Sequence, residues 1–202
     1  MKDYKWFSRM WMAMVYLFLY LPIVVLVIFS FNKGRPTRWN GFTLDNYADL
    51  FKNQQVIDGL LASLRVATIT ALLSVVLGTL IAFVLVRYRK FNGKTLFSGM
   101  ANTPLVMPEV VLGLSLLIVF KDLFHVQGGA YWTIILGHSL LGAAYATVVI
   151  KARLSELSLT YEEAALDLGA KPLQVFFLVT LPMIAQSLVS AWLLVFTISF
   201  DD

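Results

Sequence analysis

Five long apolar runs alternate with shorter polar stretches along the 202-residue chain. A helix needs about 20 residues to cross a hydrocarbon core of about 30 Å, and each run approaches that length. Backbone amides in lipid must find hydrogen-bond partners within their own segment, which favours helices. The predicted membrane helices cover residues about 10–31, 66–86, 100–120, 131–150 and 183–202. The pattern therefore predicts an all-α polytopic membrane protein, with residues 1–202 as a single transmembrane domain.

Basic residues near the ends of the apolar runs predict the orientation of the chain. Three of them lie within residues 2–9, and four more lie within residues 87–94. Because Lys and Arg in short loops stay on the cytoplasmic side, we expect the N-terminus to be cytoplasmic. The outer loop at 32–65 then faces away from the cytoplasm, although it also carries basic residues. The loop at 151–182 returns to the cytoplasm.

Composition narrows the class of protein further. The chain is 59% hydrophobic and 14% charged, with a formal net charge of +4. The basic residues flank the apolar runs instead of forming one stripe, so we expect no nucleic-acid partner. The absence of cysteine excludes disulfides, thiolate metal sites and thiol catalysis. We predict no metal site and no catalytic residue.

A polar segment lies between the fourth and fifth apolar runs. Thr160 and Glu163 have the spacing of a capping box, in which hydroxyl and carboxylate satisfy each other's backbone donors. Gly169 is placed to end a helix in the left-handed conformation, and Pro172 suits the first turn of a new helix. The segment therefore predicts a short helix with defined ends.

This short helix has one apolar side, with i, i+3, i+4, i+7 spacing: Tyr161, Ala164, Ala165 and Leu168. The acids fall elsewhere around the axis: Glu162, Glu163 and Asp167. A helix this short is marginal in water by itself, so it needs a surface to lie against. Two interpretations remain open. The helix docks in a groove of a partner, or it rests on its own bundle as an ordinary loop helix.

The outer loop contains a second short amphipathic segment, residues 41–51. In one interpretation it lies on the membrane surface and covers helix ends. In the other it is a docking surface for an outer partner.

The spacing of the cytoplasmic segment resembles a known family signature. Glu163-Ala-Ala165 is followed after three residues by Gly169, and nine residues later come Val179 and then Leu181-Pro182. This pattern is similar to the EAA signature of permeases of binding-protein-dependent ABC importers, with Val179 in place of the more usual Ile. Further stretches resemble the spermidine/putrescine branch: 42–47, 107–109, 163–170 and 199–202.

The resemblance implies a division of labour among partners. It predicts the ABC type I importer permease fold, located in a bacterial inner membrane. A periplasmic polyamine-binding protein delivers substrate, a second homologous permease completes the path, and two copies of a cytoplasmic ATPase drive it. The chain has no Gly-x-x-x-x-Gly-Lys-Ser/Thr loop, so we expect ATP to be bound by the partner and no cofactor here. The resemblance makes the 160–169 helix the ATPase coupling element, carried by Tyr161, Glu162, Glu163, Ala164, Ala165, Leu168 and Gly169.

Acidic residues inside the apolar runs are the candidates for the substrate path. Glu109 lies deep in the third run, where an ionised side chain costs about 2.5–3.5 kcal/mol or more to insert. Pro104 and Pro108 precede it and predict an interrupted helix with free carbonyls. Carboxylates, carbonyls and aromatics suit an alkyl diammonium. The alternative is that Glu109 only bonds to a neighbouring helix.

Asp201 and Asp202 are the last residues of the fifth run and are predicted near the outer mouth, where they attract cations. Solvation of a helix end is the alternative role for both. His138 has no second His and no nearby acid in its run, and we interpret it as a packing residue with a satisfied side chain. The small residues around it predict close helix packing.

Within the same class, a permease of an ABC importer for another small solute stays in view. Two other classes of protein also stay in view: a secondary transporter or channel that uses an ion gradient, and an intramembrane enzyme. The enzyme motifs His-Glu-x-x-His and Gly-x-Ser-x-Gly are absent from the sequence. Since the family core has six membrane helices, we also expect a sixth helix beyond the five seen.

Overall fold

The structure is a computed structural model that describes residues 3–34, 38–88, 90–123 and 130–201. Within these residues the secondary structure is helical, apart from an isolated antiparallel bridge between Asn32 and Phe42. The helices are α1 Asp3–Ser30, α2 Asp45–Lys52, α3 Gln54–Arg87, α4 Lys94–Val106, α5 Glu109–Ile118, α6 Ala130–Glu156, α7 Thr160–Asp167, α8 Pro172–Val175, α9 Leu181–Met183 and α10 Ala185–Asp201. Two π-helical turns, Val119–Leu123 and Phe176–Thr180, follow α5 and α8.

Among the described residues, three helices are long and apolar enough to cross a membrane: α1, α3 and α6. Two further spans are bent. The pair α4 and α5 bends by 111°, and Pro172–Met183 bends by 69° against α10. If each bent pair is one span, the five predicted runs account for five spans. The predicted interruption of the third run is confirmed.

Helix α3 is longer than its apolar run indicated, because it begins at Gln54 instead of Val66. The extra turns carry Gln54, Asp58 and Arg65, which lower the local hydropathy. Apolar side chains nevertheless recur through these turns at helical spacing: Val56, Leu60, Leu61 and Leu64. The periodicity therefore continues the helix beyond the membrane-length run.

Residues 61–202 form one compact unit, whose buried core joins α3, α6 and α10. The core is built from small and branched side chains: Ala71, Ala82, Ala146, Ile150, Leu154, Ile184, Ala191 and Val195. A Cβ on Gly78 of α3 would lie 2.7 Å from Ala146 Cβ, so the two helices are in close contact there. The predicted close packing through small residues of α6 is confirmed.

Residues 1–60 form a separate compact unit. From residue 10 to residue 29 its α1 is apolar on all sides, which is typical of a membrane span. Asn46 of α2 donates from Nδ2 to the carbonyls of Ser30 and Asn32, at 3.0 and 2.9 Å. The rings of Phe31 and Phe42 stack with centroids 5.4 Å apart. These contacts hold α2 against the end of α1.

Candidate functional site

The break between α4 and α5 determines where Glu109 lies. Met107 and Pro108 have extended backbone, with ψ of 138° and 132°, so they separate the two helices. Pro108 lacks an amide hydrogen, and it restricts Met107 to extended conformations. Glu109 is then the first residue of α5, where the positive end of the helix dipole favours a carboxylate. Its side chain is exposed on this chain.

A cavity of about 300 Å³ lies between α5, α6 and α10. Most of its wall is apolar, from leucine, isoleucine, valine, phenylalanine and glycine. The polar side chains of the wall are Glu109, Thr133, His138 and Ser199. Among the described residues that line it, Glu109 supplies the one carboxylate. An apolar wall with a few convergent polar groups is typical of a small-molecule site.

His138 and Ser199 join two walls of this cavity. His138 Nδ1 lies 2.9 Å from Ser199 Oγ, so α6 and α10 share a hydrogen bond. His138 is half-buried and Ser199 is buried. The prediction that His138 has a satisfied side chain is confirmed, although its partner is on another helix. The sequence did not single out Ser199 as a candidate for the cavity.

Asp201, the first of the two C-terminal acids, is not among the residues that line this cavity. Asp201 is exposed at the end of α10, two residues after Ser199. Asp202 lies outside the described residues. The structure thus brings Glu109 together with His138 and Ser199, and it leaves Asp201 apart from them.

Helix α7 occupies the position that the capping-box prediction gave, but the box itself is not formed. Thr160 is already the first helical residue, and the Glu163 amide donates to the Leu159 carbonyl at 2.9 Å. The Thr160 hydroxyl lies 2.8 Å from Ser158 Oγ instead. Because Thr160 has helical backbone, its hydroxyl does not take the N-cap position. The capping-box prediction was wrong in this detail.

The end of α7 forms as the sequence predicts. Gly169 has φ of 87°, which is the left-handed region. Its amide donates to the Leu166 carbonyl at 2.9 Å, and the Ala170 amide donates to the Ala165 carbonyl at 3.1 Å. These two bonds constitute a Schellman motif. Pro172 opens α8, and the Gln174 side chain accepts from the Lys171 amide at 2.8 Å.

The exposed side of α7 contains most of the predicted apolar stripe. Tyr161 is 57% exposed and Leu168 is 89% exposed, and Ala164 is also exposed. Ala165 is half-buried. The acids Glu163 and Asp167 are exposed as well, so the outer surface of α7 is mixed apolar and acidic.

The side of α7 that packs on the protein contains an acid, which the apolar pattern did not predict. Glu162 Oε1 lies 2.8 Å from Arg87 Nη2, and Arg87 Nε donates to the same oxygen at 3.0 Å. The side chains of Arg87 and Glu162 are only 9% and 13% exposed. The buried hydroxyl of Thr180 also donates to Glu162 Oε1, at 2.8 Å. We call Arg87, Glu162 and Thr180 the Glu162 cluster.

The Glu162 cluster connects four parts of the structure. Arg87 ends α3, Glu162 belongs to α7, and Thr180 closes the second π-helical turn. Arg87 Nη1 also contacts the Leu154 carbonyl of α6 at 3.4 Å. Removing one partner of a buried ion pair leaves an uncompensated charge and costs about 3–5 kcal/mol. Arg87 lies 75 positions from Glu162 and Thr180 lies 18 positions from it, and a single sequence carries no signal for such pairings, so both residues were missed.

These features define a class of protein: a multi-pass helical membrane component with a cavity between its helices. The family model of the binding-protein-dependent transport system inner membrane component matches residues 74–202. The chain belongs to this family of transport components. The resemblance read from the Glu163–Pro182 spacing is confirmed.

Characterised relatives cover nearly the whole chain. The putrescine transport system permease protein PotI of Escherichia coli (strain K12) is 45% identical over 190 residues, which are 92% of this chain and 68% of the relative. The spermidine/putrescine transport system permease protein PotC of Haemophilus influenzae is 39% identical, covering 95% of this chain and 74% of the relative. PotC of Escherichia coli (strain K12) is 34% identical, covering 95% and 72%.

A solved structure supports the fold. The crystal structure of an amino acid ABC transporter with histidines aligns with a TM-score of 0.54 and 20% identity, over 78% of this chain and 71% of that chain. This likeness agrees with the predicted all-α ABC type I permease fold.

Proposed function

We propose that the chain is a permease subunit of an ATP-driven importer that takes up a polyamine. The observation that carries this proposal is the 45% identity to a putrescine permease over 92% of the chain. In this proposal the chain forms half of the substrate path, and a second homologous permease forms the other half. A periplasmic binding protein delivers the substrate, and two copies of a cytoplasmic ATPase bind and hydrolyse ATP.

The cavity chemistry supports a cation with an aliphatic centre. The Glu109 carboxylate suits an ammonium group, because hydrogen bonds between charged groups are about twice as strong as neutral ones. The apolar wall suits the methylene chain of a diamine. Thr133, His138 and Ser199 add further hydrogen-bonding groups. Glu109 is exposed on this chain alone, which fits a path completed by a second permease.

Helix α7 suits the role of the ATPase docking element. Tyr161, Leu166 and Leu168 expose apolar area on a helix that the Gly169 motif ends cleanly. An amphipathic helix that lies in a groove is a recurrent mode of recognition. We assign Glu163 and Asp167 to the rim of this contact. Asp201 and Asp202 belong to the entry for cations in this proposal.

The orientation follows from the same proposal. The N-terminus lies in the cytoplasm of a bacterial cell, because α7 must meet a cytoplasmic ATPase. The basic residues near α1 and between α3 and α4 agree with this placement.

The test is transport by the co-purified complex in proteoliposomes, with ATP hydrolysis measured in parallel. We expect the binding protein loaded with putrescine or spermidine to stimulate hydrolysis, and a neutral sugar to have no effect. Glu109→Gln is expected to lower putrescine uptake about tenfold or more, since a hydrogen bond to a charged group contributes about 1.5–3 kcal/mol. Asp122→Asn, an exposed acid in the π-helical turn after α5, is the matched control.

Three outcomes separate the alternatives. Equal stimulation by polyamines and the neutral sugar contradicts the polyamine substrate and leaves the permease role standing. Uptake by the chain reconstituted without an ATPase indicates an ion-gradient transporter. Unchanged uptake in Glu109→Gln removes Glu109 from the substrate path.

A further inference from the structure

Along the chain, the second π-helical turn lies between α7 and α10, and α10 contributes to the cavity wall. Residues Phe176–Thr180 form this turn, and the chain then bends by 69° before α10. Inserted π-helical turns frequently occur at functional sites, because they loosen the regular backbone bonding. Beyond the bend, α10 supplies Val195, Ile198 and Ser199 to the cavity wall.

Among the described residues of α7, Glu162 is the one acid whose side chain is mostly buried, and it is hydrogen-bonded to this turn. The Thr180 hydroxyl donates to Glu162 Oε1 at 2.8 Å, and Thr180 is 1% exposed. The same carboxylate oxygen receives Arg87 from the end of α3. One oxygen atom therefore fixes α7 to two membrane-spanning segments.

We infer that Glu162 is the positioning residue that passes movement of the docking helix to α3 and α10. This inference rests on the proposed function, in which α7 follows the ATPase. When α7 moves, the Glu162 cluster carries the end of α3 and the π-helical turn with it as one body. Rigid elements joined by buried contacts move together, whereas a helix held by exposed contacts slips.

The consequence at the cavity follows from the connection through α10. The bend at Ile184 converts a displacement of the π-helical turn into a change in the direction of α10. Ser199 then moves relative to α6, and its 2.9 Å bond to His138 marks the position of α10 in this conformation. Docking of α7 and the shape of the cavity are thereby coupled.

A second ion pair, at the C-terminal end of α6, provides a contrast to the Glu162 cluster. Arg153 and Glu156 lie three residues apart on one helix, at 3.1 Å, with side chains 46% and 68% exposed. This pair lies within one helix and does not connect it to another helix. Exposed ion pairs also contribute little to the free energy of unfolding. Glu156→Gln is therefore the matched control for Glu162→Gln.

The experiment compares variants in the complete complex, with the ATPase, the second permease and the binding protein present. Assembly is measured by co-purification, and uptake of putrescine per ATP hydrolysed is measured in proteoliposomes. We expect Glu162→Gln and Thr180→Val to assemble and hydrolyse ATP while uptake per ATP falls roughly fivefold or more, the range of a typical coupling energy. Thr180→Ser restores the donor and should retain the coupling of the unmodified complex, as should Glu156→Gln.

Several results overturn the inference. Unchanged uptake per ATP in Thr180→Val does so, even where Glu162→Gln fails to assemble. Equal losses in Thr180→Val and Thr180→Ser also do so, because they indicate packing instead of the hydroxyl bond. Failure of the unmodified chain to co-purify with any ATPase contradicts the proposed function instead, and it is distinguished by the absence of complex before any variant is compared.

Discussion

Glu162 and Glu163 are neighbours in sequence, but they have different surroundings. One residue along an α-helix turns the side chain by about 100°, so adjacent acids cannot share a face. Glu163 is exposed, whereas Glu162 lies against Arg87 and Thr180. The family signature includes Glu163, and the internal contacts belong to Glu162. Under the proposed function, docking and internal attachment are therefore divided between two adjacent side chains.

Gly142 lies where a single added carbon atom, the Cβ, would disturb the packing of three helices. A Cβ at this position would lie 2.6 Å from Val195 Cγ1 of α10 and would also meet Ser74 of α3. The absence of a side chain lets three helices approach one another at the core. Leu116 is the nearest neighbour of a Cβ on Gly137, at an ordinary distance of 3.6 Å.

We predict that Gly142→Ala destabilises the protein by about 1–3 kcal/mol, because the added methyl group overpacks the core. Gly137→Ala, on the same helix, should leave stability unchanged or raise it slightly, since alanine favours helix by about 1 kcal/mol over glycine. Thermal unfolding of the two purified variants in detergent measures the difference. Equal midpoints for both variants contradict the close contact at Gly142.

At the scale of elements, α7 is a helix of eight residues that could not persist alone. The Glu162 cluster fixes its inner side, and the Schellman motif at Gly169 defines its end. Its apolar outer residues remain exposed. Helix α7 therefore rests on its own bundle, as one of the two interpretations has it. Docking in the groove of a partner stays a prediction, for which the exposed apolar surface is available.

Leu168→Ser is expected to weaken binding of the ATPase without unfolding the chain. Burial of a leucine side chain contributes about 1.5–3 kcal/mol, so affinity should fall roughly tenfold or more. Leu168 is 89% exposed, so the thermal midpoint of the isolated chain should not change. Leu44→Ser, an exposed leucine of the outer loop, is the control. Retained ATPase affinity in Leu168→Ser places the docking contact elsewhere.

The break between α4 and α5 is the second decisive element. Without the break, Glu109 would lie in the middle of one long helix, and its backbone amide would be hydrogen-bonded within that helix. The break instead places the carboxylate at a helix start and beside a cavity. Two prolines and an acid in one apolar run were sufficient to predict this interruption.

At the scale of the whole molecule, the proposed orientation makes successive connecting segments alternate between the two sides of the membrane. The proposed orientation puts α2 outside, and it puts the segment between α3 and α4 together with α7 inside. Because the sequence contains no cysteine, single introduced cysteines can report on which side of the membrane each segment lies.

We expect Asp49→Cys to react with a membrane-impermeant maleimide added to intact cells with a permeable outer membrane. Asn92→Cys should react only after the inner membrane is opened, because the basic segment 87–94 stays in the cytoplasm. Both positions are exposed, so access to the reagent depends on the side of the membrane. Labelling of Asn92→Cys in intact cells contradicts the proposed orientation and indicates the opposite one.

The sequence by itself determined what depends on neighbouring residues. The apolar runs predicted the membrane helices, and Pro108 predicted the break before Glu109. Gly169 and Pro172 predicted the end of α7 and the start of α8. Each of these features follows from local backbone preferences or from the length of an apolar run. The spacing from Glu163 to Pro182 was also local, and it was sufficient for the family.

Only the tertiary structure decided which distant residues meet. Glu162 pairs with Arg87 across 75 positions, and His138 bonds to Ser199 across 61 positions. A pattern within one segment shows that a side chain is polar, but it does not show which group lies opposite. The burial of a charge depends on that partner, because an unpaired carboxylate would not stay in the interior. Packing of α3, α6 and α10 therefore decided that Glu162 faces inwards and that Glu109 shares a cavity with His138 and Ser199.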